Sequence, residues 1–245
     1  MSAQQTRALL LDIEGTTTPV KFVYETLFPF ARQHVREFVE QHLDSQEVRA
    51  DVDALRAEHR ADAEKGSGPP QWLEDSAGSL LESAVNYAHW LMDQDRKSTA
   101  LKSLQGKIWE GGYRSGRLRG QVYADVRPAF ERWKRQGKEI YIFSSGSVLA
   151  QKLIFAHTTE GDLTRYLDGY FDTTTGAKMI AASYQSISEK ISAHESEVLF
   201  VSDVTAELDA ARTGGMMTAL CVRPGSREPE NTGHRIIRTF DEIFP

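Results

Sequence analysis

The run Arg7-Ala8-Leu9-Leu10-Leu11-Asp12-Ile13-Glu14-Gly15-Thr16-Thr17 governs how the rest of the chain is read. Four apolar residues, Ala8 to Leu11, end in a turn signal, which is the pattern of a strand buried on both faces of a parallel sheet. Two carboxylates follow, Asp12 and Glu14, then Gly15 and the hydroxyls of Thr16 and Thr17. In open α/β sheets, ligands bind just beyond the carboxyl ends of strands. Residues 12 and 14 of an extended segment point the same way. Two acids on one side of such a loop make a poor core and a good site for a hard cation. Taken alone, the pair reads equally well as a polar turn, and the downstream sequence weighs between the two.

Residues 20–43 repeat apolar side chains at helical spacing with Pro29 inside the pattern, so a break is expected near Leu27 or Phe28. Residues 44–65 keep a thin apolar stripe of Val48, Val52 and Leu55, as in an exposed helix with one packed edge. Gly66-Ser67-Gly68-Pro69-Pro70 interrupts the chain. Helical patterns return over 80–92 and 99–109, the second followed by Gly111-Gly112 as punctuation. From Tyr123 strand and helix alternate. Strands are expected at 139–143, 169–172, 198–201 and 217–222, with helices at 127–136, 148–156, 178–192 and 206–213 between them. A final element spans 236–244. That alternation predicts a parallel sheet with helices on both faces. The first strand finds partners only beyond residue 120. The expected architecture is therefore α/β: a core of residues 1–19 and 121–245, with an all-helical cap, residues 20–120, inserted after the first core strand. Tethered at the edge that carries Asp12, the cap is expected to act as a lid.

Composition bounds the function. The chain has 245 residues, 40% apolar and 26% charged, enough for a buried core. Its net charge of −6 argues against nucleic acid or an anionic membrane as partner. The single cysteine, Cys221, lies in an apolar strand and reads as a core residue; with no second thiol, a reducing compartment, the cytoplasm, is expected. The N-terminus lacks a signal-peptide pattern, and no apolar run approaches the ~20 residues needed to span a bilayer. A monomer is the expected state.

Four predicted positions now carry polar groups together. The first strand ends in Asp12 and Glu14, the second in Ser144 and Ser145; Lys178 precedes a helix, and a later strand ends in Asp203 with Glu207 one helical turn on. Converging carboxylates repel unless compensated. A divalent metal resolves this, and oxygen-only ligands favour Mg²⁺ over zinc. Hydroxyls, backbone N–H groups of a glycine-containing loop and a lysine suit a phosphate dianion. Ser147 is the better helix cap, which leaves Ser144 and Ser145 for a ligand. His89 and Trp90 read as cap packing, and Glu207 as a supporting residue or one on a helix face.

Asp-x-Glu-Gly-Thr, the hydroxyl after the second core strand, the isolated lysine and the later Ser-Asp resemble the four motifs of the haloacid dehalogenase-like hydrolases. Glu14 departs from the commoner Asp at that position. This variant, with Thr-Thr-Thr-Pro-Val and Glu-Thr-Leu-Phe-Pro-Phe-Ala following, is similar to the enolase-phosphatase family of methionine salvage. So are Tyr-Ile-Phe-Ser-Ser-Gly-Ser-Val at 141–148, Gly-Tyr-Phe-Asp-Thr-Thr at 169–174, the 202–212 segment and Val-Arg-Pro-Gly at 222–225. The resemblance is thin across 44–120. It implies a Rossmann-like core, a helical cap and one Mg²⁺ per subunit. The substrate implied is a small phosphorylated diketone, 2,3-diketo-5-methylthiopentyl-1-phosphate, carried through its enol to an acireductone plus phosphate. Asp12 is then the nucleophile that forms an aspartyl-phosphate, and Glu14 the general acid and base. Lys178 balances charge, Ser144, Ser145 and Lys178 bind the phosphate, and Asp12, Glu14 and Asp203 hold the metal. The alternative is a Mg²⁺-dependent phosphomonoesterase of the same superfamily with another small substrate.

Overall fold

A computed structural model describes residues 6–227 and 233–245; residues 1–5, read above for a leader, lie outside them. The first strand, β1 (Ala8–Leu11), has every residue fully buried. Beyond it come α1 (Val20–Phe22), a π-helical turn (Val23–Leu27) and α2 (Phe28–His42). The expected break near Leu27 is this π turn. Pro29 has no N–H and cannot continue the ladder from the preceding turn, so the chain widens before it and restarts with proline in the first turn of α2. Helices α3 (Gln46–Glu64), α4 (Ala77–Asp93) and α5 (Thr99–Arg114) follow, then α6 (Val126–Arg135) and β2 (Glu139–Phe143). The remainder alternates: α7 (Val148–Ala156), β3 (Gly169–Phe171), α8 (Ala181–Lys190), β4 (Val198–Ser202), α9 (Thr205–Thr213), β5 (Met217–Cys221) and β6 (Arg235–Ile237).

Among the described residues six strands form one parallel sheet, in the order β3-β2-β1-β4-β5-β6. The chain fills one side of β1 with β2 and β3, then crosses over to fill the other with β4, β5 and β6. The reversal of direction lies between β1 and β4, the place where open α/β sheets bind ligands. One face of the sheet buries Leu10, Phe200 and Leu220 against Tyr184 and Ile187 of α8 and Leu208 and Ala211 of α9. The helical region lies in the chain between β1 and β2, as the strand accounting anticipated.

Contacts divide the chain into two units, Tyr24–Leu118 on the one hand and Met1–Val23 with Arg119–Pro245 on the other. In the first, α2 packs on α4 and α5, and α3 on both of the same helices. The Trp109 indole N–H donates to the Leu27 carbonyl (2.8 Å) and pins the junction of the π turn with α2. Asp62 of α3 accepts from the Tyr87 hydroxyl (2.8 Å) and pairs with Arg96 (3.0 Å), tying α3 to α4 and the loop beyond it. Helix α5 does not stop at Gly111-Gly112 but runs on to Arg114. The glycine serves packing rather than termination, since a Cβ on Gly112 would lie 2.6 Å from the Phe30 ring and 2.8 Å from Leu118.

Candidate active site

The parallel register sets the stage. Leu11 pairs with Ile142 on one side and Val201 on the other, so Asp12 stands level with Phe143 and Ser202. Ser144 and Asp203 follow immediately at the same edge. The Asp12 N–H donates to the Val201 carbonyl (3.0 Å), which carries the ladder one residue past β1 and makes Asp12 part of the rigid sheet.

Past Asp12 the backbone closes into a tight knot. The Ile13 carbonyl accepts from the N–H groups of Thr16 (3.3 Å), Thr17 (3.0 Å) and Thr18 (2.8 Å), while the Gly15 N–H donates to the Thr18 carbonyl (2.9 Å). The Thr17 hydroxyl donates to the Asp12 carbonyl (3.1 Å). Gly15 is required twice over. Its φ is +70°, and a Cβ there would fall 2.1 Å from a carboxylate oxygen of Asp203. The loop after β1 and the loop after β4 are thus in contact through a bare backbone. Glu14 bridges to Thr18 and is half-buried.

Lys178 is the hub of the charges. Its ammonium contacts a carboxylate oxygen of Asp12 and lies 2.6 Å from Glu207 Oε2. Its side chain is 10% exposed, running over the rings of Phe143 and Phe200. Sequence placed Lys178 at a helix start; it occupies a turn before α8, and α8 reaches back to hold that turn. The Tyr184 hydroxyl donates to the Lys178 carbonyl (2.7 Å) and the Ser183 hydroxyl to the Ala177 carbonyl (2.8 Å). Burial disfavours the ammonium, but Asp12 and Glu207 outweigh it, so the Lys178 pKa lies above its ordinary value. Glu207 also accepts from the Ser202 hydroxyl (2.9 Å), which in turn caps the Val204 N–H (3.1 Å). Asp203 is pushed up to about 7, first by burial and then by the charges of Asp12 and Glu207.

Ser144 is buried and its hydroxyl accepts from the Gly146 N–H (3.2 Å), whereas Ser145 is exposed. Ser147 caps α7, accepting from the Ala150 N–H (3.3 Å). The segment before α7 therefore ends at a helix N-terminus, where backbone N–H groups favour an anion. Gln151 braces it, donating to the carbonyls of Gly146 (2.8 Å) and Phe171 (2.8 Å). His89 and Trp90 belong to packing within their own unit: the His89 ring contacts the Arg32 carbonyl and Trp90 stacks on Tyr87. Cys221 is buried, which pushes its thiol up to about 12.

Among the described residues no three carboxylate, histidine or cysteine side chains form a ready-made metal cluster. The donor chemistry nonetheless fits magnesium. Asp12, Asp203 and Glu207 crowd their charges near one ammonium, and burial together with those like charges raises the Asp203 pKa. Mg²⁺ binds through one or two carboxylates, with waters and phosphate completing its octahedron, and does not need a three-carboxylate cage.

The protein-family model for haloacid dehalogenase-like hydrolases matches residues 6–215. Enolase-phosphatase E1 of Synechococcus elongatus is 52% identical over 235 residues, 96% of each chain. The chain belongs to the enolase-phosphatase family of haloacid dehalogenase-like hydrolases. Among solved structures, the UTR4 protein of Saccharomyces cerevisiae is 36% identical with a TM-score of 0.77, covering 97% of this chain and all of that one. A HAD-hydrolase of Bacillus subtilis, solved with bound magnesium, shares the fold at a TM-score of 0.55 and 14% identity, over 98% of this chain and 97% of that one. Two residues that brace the loops around Asp12 and Lys178 had no assigned role from sequence: Tyr184, invisible because its hydroxyl acts on the Lys178 carbonyl, and Arg223, which holds the Thr16 carbonyl and whose only signal was the Val-Arg-Pro-Gly match.

Proposed function

We propose that this enolase-phosphatase acts on 2,3-diketo-5-methylthiopentyl-1-phosphate with Mg²⁺, forming the enol and then the acireductone 1,2-dihydroxy-3-keto-5-methylthiopentene plus phosphate. The observation that carries the reading is Lys178 lying between Asp12 and Glu207 at the sheet's reversal point, in a chain with full-length enolase-phosphatase relatives.

Asp12, fixed to the sheet through its N–H, is the nucleophile: a carboxylate oxygen attacks phosphorus and the P–O bond to the substrate breaks. Glu14 gives a proton to the departing oxygen, then takes one from the water that hydrolyses the aspartyl-phosphate. Lys178, held as a cation, offsets the negative charge of Asp12 and the phosphoryl group. Ser144, Ser145 and the N–H groups leading into α7 bind the phosphate oxygens. Asp12, Asp203 and the Glu14 position hold Mg²⁺, which when bound neutralises phosphoryl charge and polarises a substrate carbonyl. The enol step needs a base for a carbon-bound proton. Of the two candidates, Glu14 and Lys178, the lysine is a doubly paired cation, so Glu14 is the base in this reading. Residues 24–118 act as the cap that sets substrate choice. The enzyme works as a cytoplasmic monomer, in keeping with its single buried thiol; no helix of the described residues is long and apolar enough to cross a membrane.

The test follows enol absorbance and phosphate release together, with Mg²⁺ and the diketo phosphate, in wild type and Asp12→Asn. An enol that rises before phosphate, with release lost in the variant by about a thousandfold or more, is expected. Phosphate released from simple monoesters with no enol from the diketone would leave the phosphomonoesterase reading instead.

A further inference from the structure

The knot of residues 12–18 is tied from within by its own hydrogen bonds, but one buried cation grips it from outside. Arg223 lies two residues past β5 and is 3% exposed. Its Nε and one terminal nitrogen both donate to the Thr16 carbonyl, at 2.9 and 2.7 Å. Its other terminal nitrogen pairs with Asp125 Oδ2 at 2.6 Å. The guanidinium sits against Tyr123 (4.3 Å) and Phe240 (4.6 Å). Asp125 is fixed in turn, accepting from the Phe240 N–H (2.6 Å), and the Tyr123 N–H donates to the Thr17 carbonyl (3.0 Å). Two successive carbonyls of the loop, at 16 and 17, are therefore held by one assembly of Arg223, Asp125, Tyr123 and Phe240.

Asp12 is anchored by β4, but Glu14 is not part of any strand ladder. It bridges Thr18 inside the knot, whose closing bonds run through the Ile13 and Thr18 carbonyls, and Arg223 grips that knot at the Thr16 carbonyl. A lysine offers a point charge in place of the planar fork and cannot reproduce two donors on one oxygen while pairing with Asp125.

We infer that Arg223 is a positioning residue for catalysis: by clamping the Thr16 carbonyl it holds Glu14 in line with Asp12. This rests on the reading of those two carboxylates as the reacting groups. Misplacing a reacting group by about 1 Å costs up to about a hundredfold in rate. Substrate binding through the 144–147 segment and Lys178 does not pass through Arg223, so the loss falls on kcat rather than KM.

The experiment measures phosphate release from the diketo phosphate with Mg²⁺ for wild type, Arg223→Lys, Arg223→Ala and Asp12→Asn, well below every variant's Tm. Arg223→Lys is expected to lose about ten- to a hundredfold in kcat with KM within about threefold of wild type. Arg223→Ala leaves a slot between Tyr123 and Phe240, and low-millimolar guanidinium ion is expected to restore much of its kcat. Should Arg223→Ala not fold, Arg223→Lys decides alone. A kcat for Arg223→Lys within about twofold of wild type overturns the role, however far its Tm drops. So does a loss in Arg223→Ala that guanidinium leaves untouched. Wild type that releases no phosphate, or Asp12→Asn releasing it at the wild-type rate, is a separate result that sinks the assignment of the reacting carboxylates and this role with it.

Discussion

Asp203 shows at the scale of one residue what burial beside two like charges does to a carboxyl group. Its carboxyl stands at about 7 in the folded protein, against an ordinary 3.8. Between those values the folded protein holds a proton that the unfolded chain has released. The stabilising contribution is therefore fully present below about pH 4 and lost as pH rises through about 7. The metal-free Tm is expected to fall across that window, and Asp203→Asn to flatten the slope; calorimetry at several pH values checks both. Mg²⁺ binding near pH 7 is expected to release a proton from the same carboxyl, weakening as pH falls, which titration calorimetry in buffers of different ionisation enthalpy would read. Gly15 makes the complementary point. Gly15→Ala places a methyl group on the Asp203 carboxylate at a positive φ, and is expected to cost about 1–3 kcal/mol of stability and most of the Mg²⁺ affinity. Urea unfolding with and without Mg²⁺ separates the two effects.

At the scale of the element, strands were legible and glycines were not. Strands β1, β2 and β4 announce themselves as short apolar runs that stop at a polar turn, because a strand covered on both faces has no room for anything else. The π turn before α2 was half-visible, since Pro29 required a break without saying which form it takes. Gly112 was misread as an end signal. A glycine that ends a helix and one that lets a ring approach look alike until the neighbouring helix is known. Helix propensity alone predicts that Gly112→Ala stabilises α5 by up to about 1 kcal/mol. Contact with Phe30 predicts the reverse, a loss of about 1–3 kcal/mol, and the sign measured by urea unfolding decides.

For the whole molecule, the order β3-β2-β1-β4-β5-β6 is what converts separate loops into one site. Sequence predicted strands β1 to β5 and their parallel sense, but it left β6 inside an unspecified final element and did not show that β1 sits centrally with β2 on one side and β4 on the other. That central place puts Asp12 beside both the 144–147 segment and Asp203. It also makes Leu10 a keystone, fully buried in the face shared with Phe200, α8 and α9. Leu10→Ala is expected to cost about 2–5 kcal/mol, read as a shift in the urea midpoint, and to lower activity only through the folded fraction.

Composition and apolar periodicity were enough to name an α/β core interrupted by helices, and the motifs around Asp12, Ser144, Lys178 and Asp203 were enough to name the enolase-phosphatase family. Periodicity reports how each segment faces its own surroundings, and motif residues sit at strand ends whatever lies beside them. What needed the tertiary structure were the contacts between segments distant in sequence: Lys178 between Asp12 and Glu207, the Asp203 carboxylate against bare Gly15, and Arg223 on the Thr16 carbonyl. Each depends on which strands become neighbours, a choice made by burying the whole sheet at once, and no local pattern of residues encodes it.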